Sequence, residues 1–169
     1  MNPKAFLQLM RKHPAAVNII ATGKAPHRTG MTVSAFMSLT AEPPTVVCAI
    51  NRSAFSYAHM TDNQVFSVNT LSVEHVDLAK LFAGQAQVFG DERFDEAHWQ
   101  AFDSDSPCLR HAVMSLECRL IRQVQENTHC LMIGEVISGH CNDSAIPLLY
   151  RDGEWVTTSP PLVQQALQA

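Results

Sequence analysis

Several things are missing from this sequence, and each absence narrows the field. No run of Lys or Arg occurs: 12 basic residues are scattered among 16 acidic ones, for a formal net charge of −4 and a pI near 6.0. Proteins that grip nucleic acid need a basic stripe to neutralise phosphates, so that class of partner is excluded. The longest apolar run, Val46 to Ile50, falls far short of the roughly 20 residues that cross a bilayer. Met1-Asn2-Pro3-Lys4 leads into an amphipathic stretch with Arg11 and Lys12, unlike the apolar core and small-residue cleavage site of a signal peptide. A soluble, cytoplasmic protein with no membrane partner is the expectation.

The five cysteines (Cys48, Cys108, Cys118, Cys130, Cys141) are odd in number and contain no C-x-x-C pair, so neither a disulfide framework nor a zinc knuckle is indicated. Free thiols are expected. The neighbours His129-Cys130 and His140-Cys141 offer metal-ligand types, but adjacent strand residues point to opposite faces, and no metal site is expected. No G-x-G-x-x-G follows a strand, and no βαβ alternation, internal repeat or low-complexity segment is present. A dinucleotide bound here is held without the Rossmann device.

What is present is ordinary globular composition, 46% hydrophobic and 17% charged over 169 residues, which suits a single domain spanning 1–169. Asn2-Pro3 reads as a helix start, with Phe6, Leu7, Leu9 and Met10 at helical spacing until Pro14. Residues 16–22 are rich in β-branched side chains and close at Gly23, a buried strand, and residues 23–30 make a turn. From 31 to 40 the pattern alternates: Met31, Val33, Ala35, Met37 and Leu39 on a core face, Thr32, Ser34, Phe36, Ser38 and Thr40 on a hydroxyl-bearing one. Glu42-Pro43-Pro44 turns the chain into a strand at 45–50. A strand at 64–70 is followed by a helix capped by Ser72, carrying Leu78, Leu81 and Phe82 on one face and stopped by Gly84. Residues 85–110 form a long excursion with a helix at 95–102, and strands are expected at 113–124, 129–138 and 147–157. Many short strands and few helices favour a mainly β fold, an antiparallel closed or partly closed barrel.

Two segments carry candidate chemistry. The hydroxyl face of residues 31–40 either meets solvent or lines a site. Directly after the strand at 45–50 comes Asn51-Arg52-Ser53-Ala54-Phe55-Ser56, where a cation, hydroxyls and an amide either form a phosphate cradle or leave Arg52 as an ordinary exposed loop arginine. Arg93 reads two ways, as a second phosphate partner or as a cap for the helix at 95–102.

These segments also carry a resemblance. Ala16-Val17-Asn18-Ile19-Ile20, Gly30-Met31-Thr32-Val33-Ser34-Ala35, Glu42-Pro43-Pro44, Ile50-Asn51-Arg52-Ser53, Phe66-Ser67-Val68-Asn69-Thr70-Leu71, Phe82-Ala83-Gly84, Arg93-Phe94 and Thr128-His129 occur in one order. Together they resemble the flavin reductase family with the FMN-binding split-barrel fold, in particular the reductase component of 4-hydroxyphenylacetate 3-monooxygenase systems. The resemblance runs from about residue 5 to residue 157. It implies a homodimer of split β-barrels with a few peripheral helices, reducing FMN or FAD with NADH or NADPH. The reduced flavin then diffuses to a separate flavin-dependent monooxygenase. It implies that Thr32, Val33, Ser34, Ala35, Phe36, Ser38 and Leu39 line the isoalloxazine ring and that Asn51, Arg52, Ser53 and Ser56 hold the ribityl phosphate, with Phe82 and Arg93 in the flavin set. His129 is implied beside the nicotinamide, and Tyr150 and Arg151 as further pyridine-nucleotide contacts. Asn127 stands where the family usually has glycine, and Asn tolerates the left-handed backbone such a turn requires. The alternative function is a flavin-binding redox or electron-carrier protein without reductase turnover.

Overall fold

The computed structural model describes residues 1–158; the end of the expected domain, 159–169, lies outside the described residues. Asn2 Oδ1 accepts from the Lys4 amide at 2.9 Å, Pro3 opens the first turn, and helix α1 runs Pro3–Met10. Its apolar residues stay exposed, and its C-terminal end is tied instead by Lys12 to the Asp152 carboxylate and by Arg11 Nη2 to the Asp152 carbonyl at 3.3 Å.

Strands β1 (Ala15–Ala16) and β2 (Asn18–Thr22) follow. β2 is buried along its whole length because it separates two cores, Ile19 and Ala21 facing one and Ile20 the other. The alternating segment 31–40, expected as one strand, is two: β3 (Thr29–Val33) and β4 (Phe36–Ala41). β3 pairs with β2, Val33 opposite Asn18, whereas β4 pairs with β5 (Pro44–Asn51), Phe36 opposite Cys48. Between them the Phe36 amide donates to the Ser34 carbonyl at 3.0 Å, a three-residue turn that shifts the phase of the pleat. Phe36 therefore packs against the core, while Met37 and Leu39, expected inside, are 58% and 51% exposed.

Helix α2 (Phe55–Asn63), which the sequence pattern did not indicate, buries only Ser56 and Met60 and so has no apolar stripe to announce it. Strand β6 (Val65–Thr70) leads to a 3-10 turn at Val73–His75 and helix α3 (Val76–Phe82). Ser72 caps this unit as expected, in a capping box with His75. No helix forms at 95–102: a single turn, with the Trp99 amide on the Asp95 carbonyl at 3.0 Å, gives way to β7 (Trp99–Ala101), which pairs with β8 (Pro107–Leu109). Trp99 is drawn into an aromatic cluster with Phe82 and Phe94, centroids 4.8–5.5 Å apart, and that packing outweighs the helical pattern.

The two long strands, β9 (Met114–Glu126) and β10 (His129–Cys141), complete a seven-stranded antiparallel sheet in the order β3-β2-β6-β9-β10-β5-β4. Its edges, β3 and β4, are consecutive in the chain, so the sheet has to curl until they meet at Ser34-Ala35. One core takes side chains from all seven strands, namely Val33, Ile20, Phe66, Cys118, Cys130, Cys48 and, at its margin, Phe36. Among the described residues β3 and β4 share no ladder. The expected strand at 147–157 is a hairpin, β11 (Leu148–Arg151) and β12 (Glu154–Thr157), turned at Asp152 (φ 56°) and Gly153 (φ 92°) and joined to β1. The outer face of β4, β5, β10 and β9 is apolar: Met37 lies opposite Val47, Val47 opposite Ile133, and Leu131 opposite Ala49 and Val124. No helix among the described residues is long and apolar enough to cross a membrane. All five cysteines are free; burial pushes the Cys118 thiol up to about 12 and the Cys48 thiol further, and Cys141 alone is exposed.

Candidate functional site

Two adjoining clefts open along β3 and meet at Ala83. The larger, about 590 Å³, is formed by Gly30 and Met31, the first turn of α2 (Phe55, Ser56), the end of α3 (Phe82, Ala83, Gly84) and the turn bearing Phe89, Gly90 and Arg93. Local sequence explains the shape. A Cβ at Gly30 would lie 2.8 Å from the Ile20 carbonyl oxygen and 3.2 Å from the Phe82 ring, so only glycine lets the ring sit against the strand. Gly84, at φ +79°, ends α3 in the left-handed conformation that favours glycine.

Arg93 is the charged side chain among the residues lining the larger cleft. Arg93 is half-buried, and burial holds its pKa below the ordinary arginine value. Its guanidinium lies 4.7 Å from the Phe82 ring centroid, with long hydrogen bonds of 3.4 Å to Thr29 Oγ1 and the Gly90 carbonyl. Among the described residues no carboxylate reaches it within ion-pair distance. Facing it is the start of α2, whose N-cap residue, Ala54, makes no side-chain cap. The Tyr57 amide bonds the Ala54 carbonyl at 3.0 Å, which leaves the amides of Phe55 and Ser56 without an intrahelical partner at the positive end of the helix dipole. Ser56 Oγ, 3.0 Å from Thr29 Oγ1, completes a set of donors suited to a phosphate.

The second cleft, about 430 Å³, is lined by Val17, Thr32, Ser34, Ala83, Gln85, Tyr150, Gly153 and Trp155. Thr32 Oγ1 is committed to the Ala79 carbonyl at 2.7 Å, whereas Ser34 is exposed. Tyr150 and Trp155 lie with ring centroids 5.0 Å apart at the opposite wall.

Of the residues expected in the site, Thr32, Ser34 and Tyr150 line the second cleft and Ser56, Phe82 and Arg93 the first. Arg93 caps no helix, since none forms at 95–102. Val33 points into the core, and Ala35, Phe36, Ser38 and Leu39 lie beyond the Ser34-Ala35 break, towards the other sheet edge. The loop of Asn51, Arg52 and Ser53 is also turned elsewhere. Asn51 Oδ1 accepts from the Ser53 amide at 3.0 Å and its hydroxyl at 2.9 Å. Arg52 Nη1 donates to the Asn127 carbonyl at 3.3 Å, and its amide to the Thr128 carbonyl at 2.9 Å. Arg52 thus belongs to the β9–β10 hairpin, where Asn127 takes the left-handed backbone expected of it (φ 48°). His129 sits opposite Asn51 with Nδ1 2.9 Å from Thr128 Oγ1, in an exposed group that lines neither cleft. Arg151, opposite Glu154 in the β11–β12 hairpin, also lies outside both. Gly30, Phe89, Gln85 and Trp155 are wall residues the sequence pattern did not single out. Among the described residues no group of three or more His, Cys, Asp or Glu converges as for a metal ion.

A curled antiparallel sheet with an arginine-bearing cleft along one edge defines a small β protein with a candidate ligand site beside that edge. By sequence the chain belongs to the flavin reductase family, matching the "Flavin reductase like domain" over residues 10–159. It is 37% identical over 160 residues to the FMN reductase (NADH) RutF of Pantoea ananatis (strain LMG 20103), covering 95% of this chain and 81% of that protein. Among solved structures, a protein from Haemophilus somnus 129PT superposes with TM-score 0.88 at 30% identity, covering 94% of this chain and 100% of that one. The flavin reductase PheA2 in its native state superposes with TM-score 0.85 at 27% identity, over 95% and 100% of the two chains.

Proposed function

We propose that this chain is an NADH-dependent flavin reductase that binds FMN along β3 and supplies reduced flavin to a separate monooxygenase. One observation carries the reading: a half-buried guanidinium with no acidic partner among the described residues faces a helix start without a side-chain cap across a cleft of ligand size. The phosphate of a flavin mononucleotide fits that set, with Arg93, Ser56 and the first amides of α2 as its donors. Arg93, not Arg52, is then the principal cation. The ring extends past Ala83 towards Thr32 and Ser34, with Tyr150 and Trp155 on the far wall. FMN and NADH are favoured over FAD and NADPH because the Pantoea relative is an FMN reductase (NADH).

A flavin held by Arg93, Ser56 and the start of α2 would supply hydride-accepting chemistry toward a reduced nicotinamide, which needs no protein nucleophile. The residues of this chain bind, orient and exclude water. His129, with Thr128 on its Nδ1, is the residue proposed to meet the nicotinamide. We read residues 1–169 as one domain, the seven-stranded sheet as a split barrel, and the protein as a cytoplasmic homodimer. The apolar outer face around Met37, Val47, Leu131 and Ile133 supports the dimer, since a monomer rarely leaves so contiguous a patch in water.

The test is anaerobic mixing of the purified protein with FMN and NADH, following flavin bleaching near about 450 nm. Many turnovers with added FMN are expected. Tight flavin binding with negligible NADH oxidation would favour the electron-carrier reading instead.

A further inference from the structure

Among the described residues Arg93 has only long hydrogen bonds of its own, so the backbone that carries it decides where its charge points. That backbone belongs to residues 85–98, a stretch with no strand and no α-helix. It is gripped from outside the cleft by Arg28. Arg28 Nε and Nη2 donate to the two carboxylate oxygens of Asp91 at 2.7 and 2.9 Å, and the Arg28 amide adds a bond to Asp91 Oδ1 at 3.1 Å. The same Nη2 donates to the Phe94 carbonyl at 3.0 Å, and the guanidinium lies 5.1 Å from the Phe94 ring centroid. One arginine therefore holds residues 91 and 94, the two sides of Arg93. It also immediately precedes Thr29, which bonds Arg93 and Ser56, and Gly30, which lines the same cleft. The pair is largely shielded, with side-chain exposures of 19% and 27%, and the Arg28 hydrogen bond keeps the Asp91 carboxyl below the usual carboxylate range. Bidentate geometry of this kind fixes orientation as well as distance.

We infer that Arg28 and Asp91 are positioning residues: their buckle sets the turn 91–94 so that the Arg93 guanidinium faces the donors of Ser56 and α2. The inference rests on the proposed reading that Arg93 holds the flavin phosphate. Neither Arg28 nor Asp91 lines the larger cleft, so neither touches a ligand there directly.

The experiment compares FMN with riboflavin, which has the same ring and no phosphate, by fluorescence titration of wild type, Asp91→Ala, Asp91→Asn, Arg93→Ala and the double variant Asp91→Ala/Arg93→Ala. Asp91→Ala is expected to weaken FMN about tenfold and riboflavin less than about twofold, the loss of one well-aimed charge-assisted contact. Asp91→Asn, which keeps an acceptor for Arg28, is expected to fall between wild type and Asp91→Ala, and it serves as the folded comparison if the alanine variant melts. The double variant should bind FMN no more weakly than Arg93→Ala alone, because the buckle has nothing left to aim. Equal losses for FMN and riboflavin, or additive losses in the double variant, would overturn the positioning role. An Arg93→Ala variant with wild-type FMN affinity would instead overturn the phosphate reading beneath it, a result the Asp91 variants alone cannot produce.

Discussion

Replacing Arg93 by Met gives two effects of opposite sign, and the structure sets both. Methionine keeps an unbranched apolar stem over the Phe82 ring but removes a guanidinium that is half-buried without a carboxylate. Burying an unpaired charge is unfavourable, so the flavin-free variant should be as stable as wild type within about 0.5 kcal/mol, or slightly more so. FMN binding should suffer: a hydrogen bond to a charged group is worth about 1.5–3 kcal/mol, or roughly 10- to 150-fold in affinity. Thermal melts make the contrast visible. FMN at about 100 times its wild-type Kd stabilises by about 2.7 kcal/mol, a rise of roughly 5–11 °C for a protein of this size. At the same concentration a variant about 100-fold weaker retains only about 0.4 kcal/mol. Titration and melting with FMN and riboflavin read all of this. Unchanged FMN affinity together with a destabilised flavin-free protein would refute the reasoning, because Arg93 would then be a structural cation.

Other perturbations reach different parts of the account. His129→Ala should raise the KM for NADH while leaving flavin affinity intact, and unchanged steady-state kinetics would remove that residue from the nicotinamide site. Gly30→Ala pushes a methyl against the Ile20 carbonyl and Phe82, so it should cost about 1–3 kcal/mol in urea melts and, unlike Arg93→Met, weaken FMN and riboflavin alike. His75 is buried and its Nδ1 accepts the Ser72 amide at 3.2 Å, and burial holds its pKa below the ordinary value. The unfolded chain takes up a proton near about pH 6.5 that the native state refuses. Stability from this group is therefore full above that pH and is lost as the pH falls below it. His75→Gln, which can still close the capping box, should flatten the loss between pH 7.5 and 5.5 in denaturant melts; an equal loss in both proteins would contradict the assignment.

The parts of the fold legible in the sequence are those fixed by neighbours along the chain. The Ser72 cap, the Asn2-Pro3 helix start, the apolar run of β2 and the left-handed Asn127 each depend on a few consecutive residues. The break at Ser34-Ala35 was hidden because the alternation of residues 31–40 continues across it, and only the switch of partner from β2 to β5 reveals the change of phase. The Asp152-Gly153 hairpin did have a local signal, the dipeptide itself, which the pattern of residues 147–157 obscured. The candidate site was legible in part. Thr32, Ser34, Ser56 and Phe82 line the clefts, whereas Arg52, read as an anion ligand from its loop after a buried strand and from the family resemblance, lines neither. Its guanidinium is taken up by the Asn127 carbonyl, far along the chain. Arg93 acquires its setting from Thr29 and Phe82, also distant in sequence, so no local pattern could choose between its two readings.

A crystal structure of the protein with FMN tests the central claim most directly. The account predicts the phosphate about 3 Å from Arg93 and Ser56, with the ring running towards Thr32 and Ser34. A phosphate seated instead on Arg52 and Ser53, with Arg93 untouched, would contradict it.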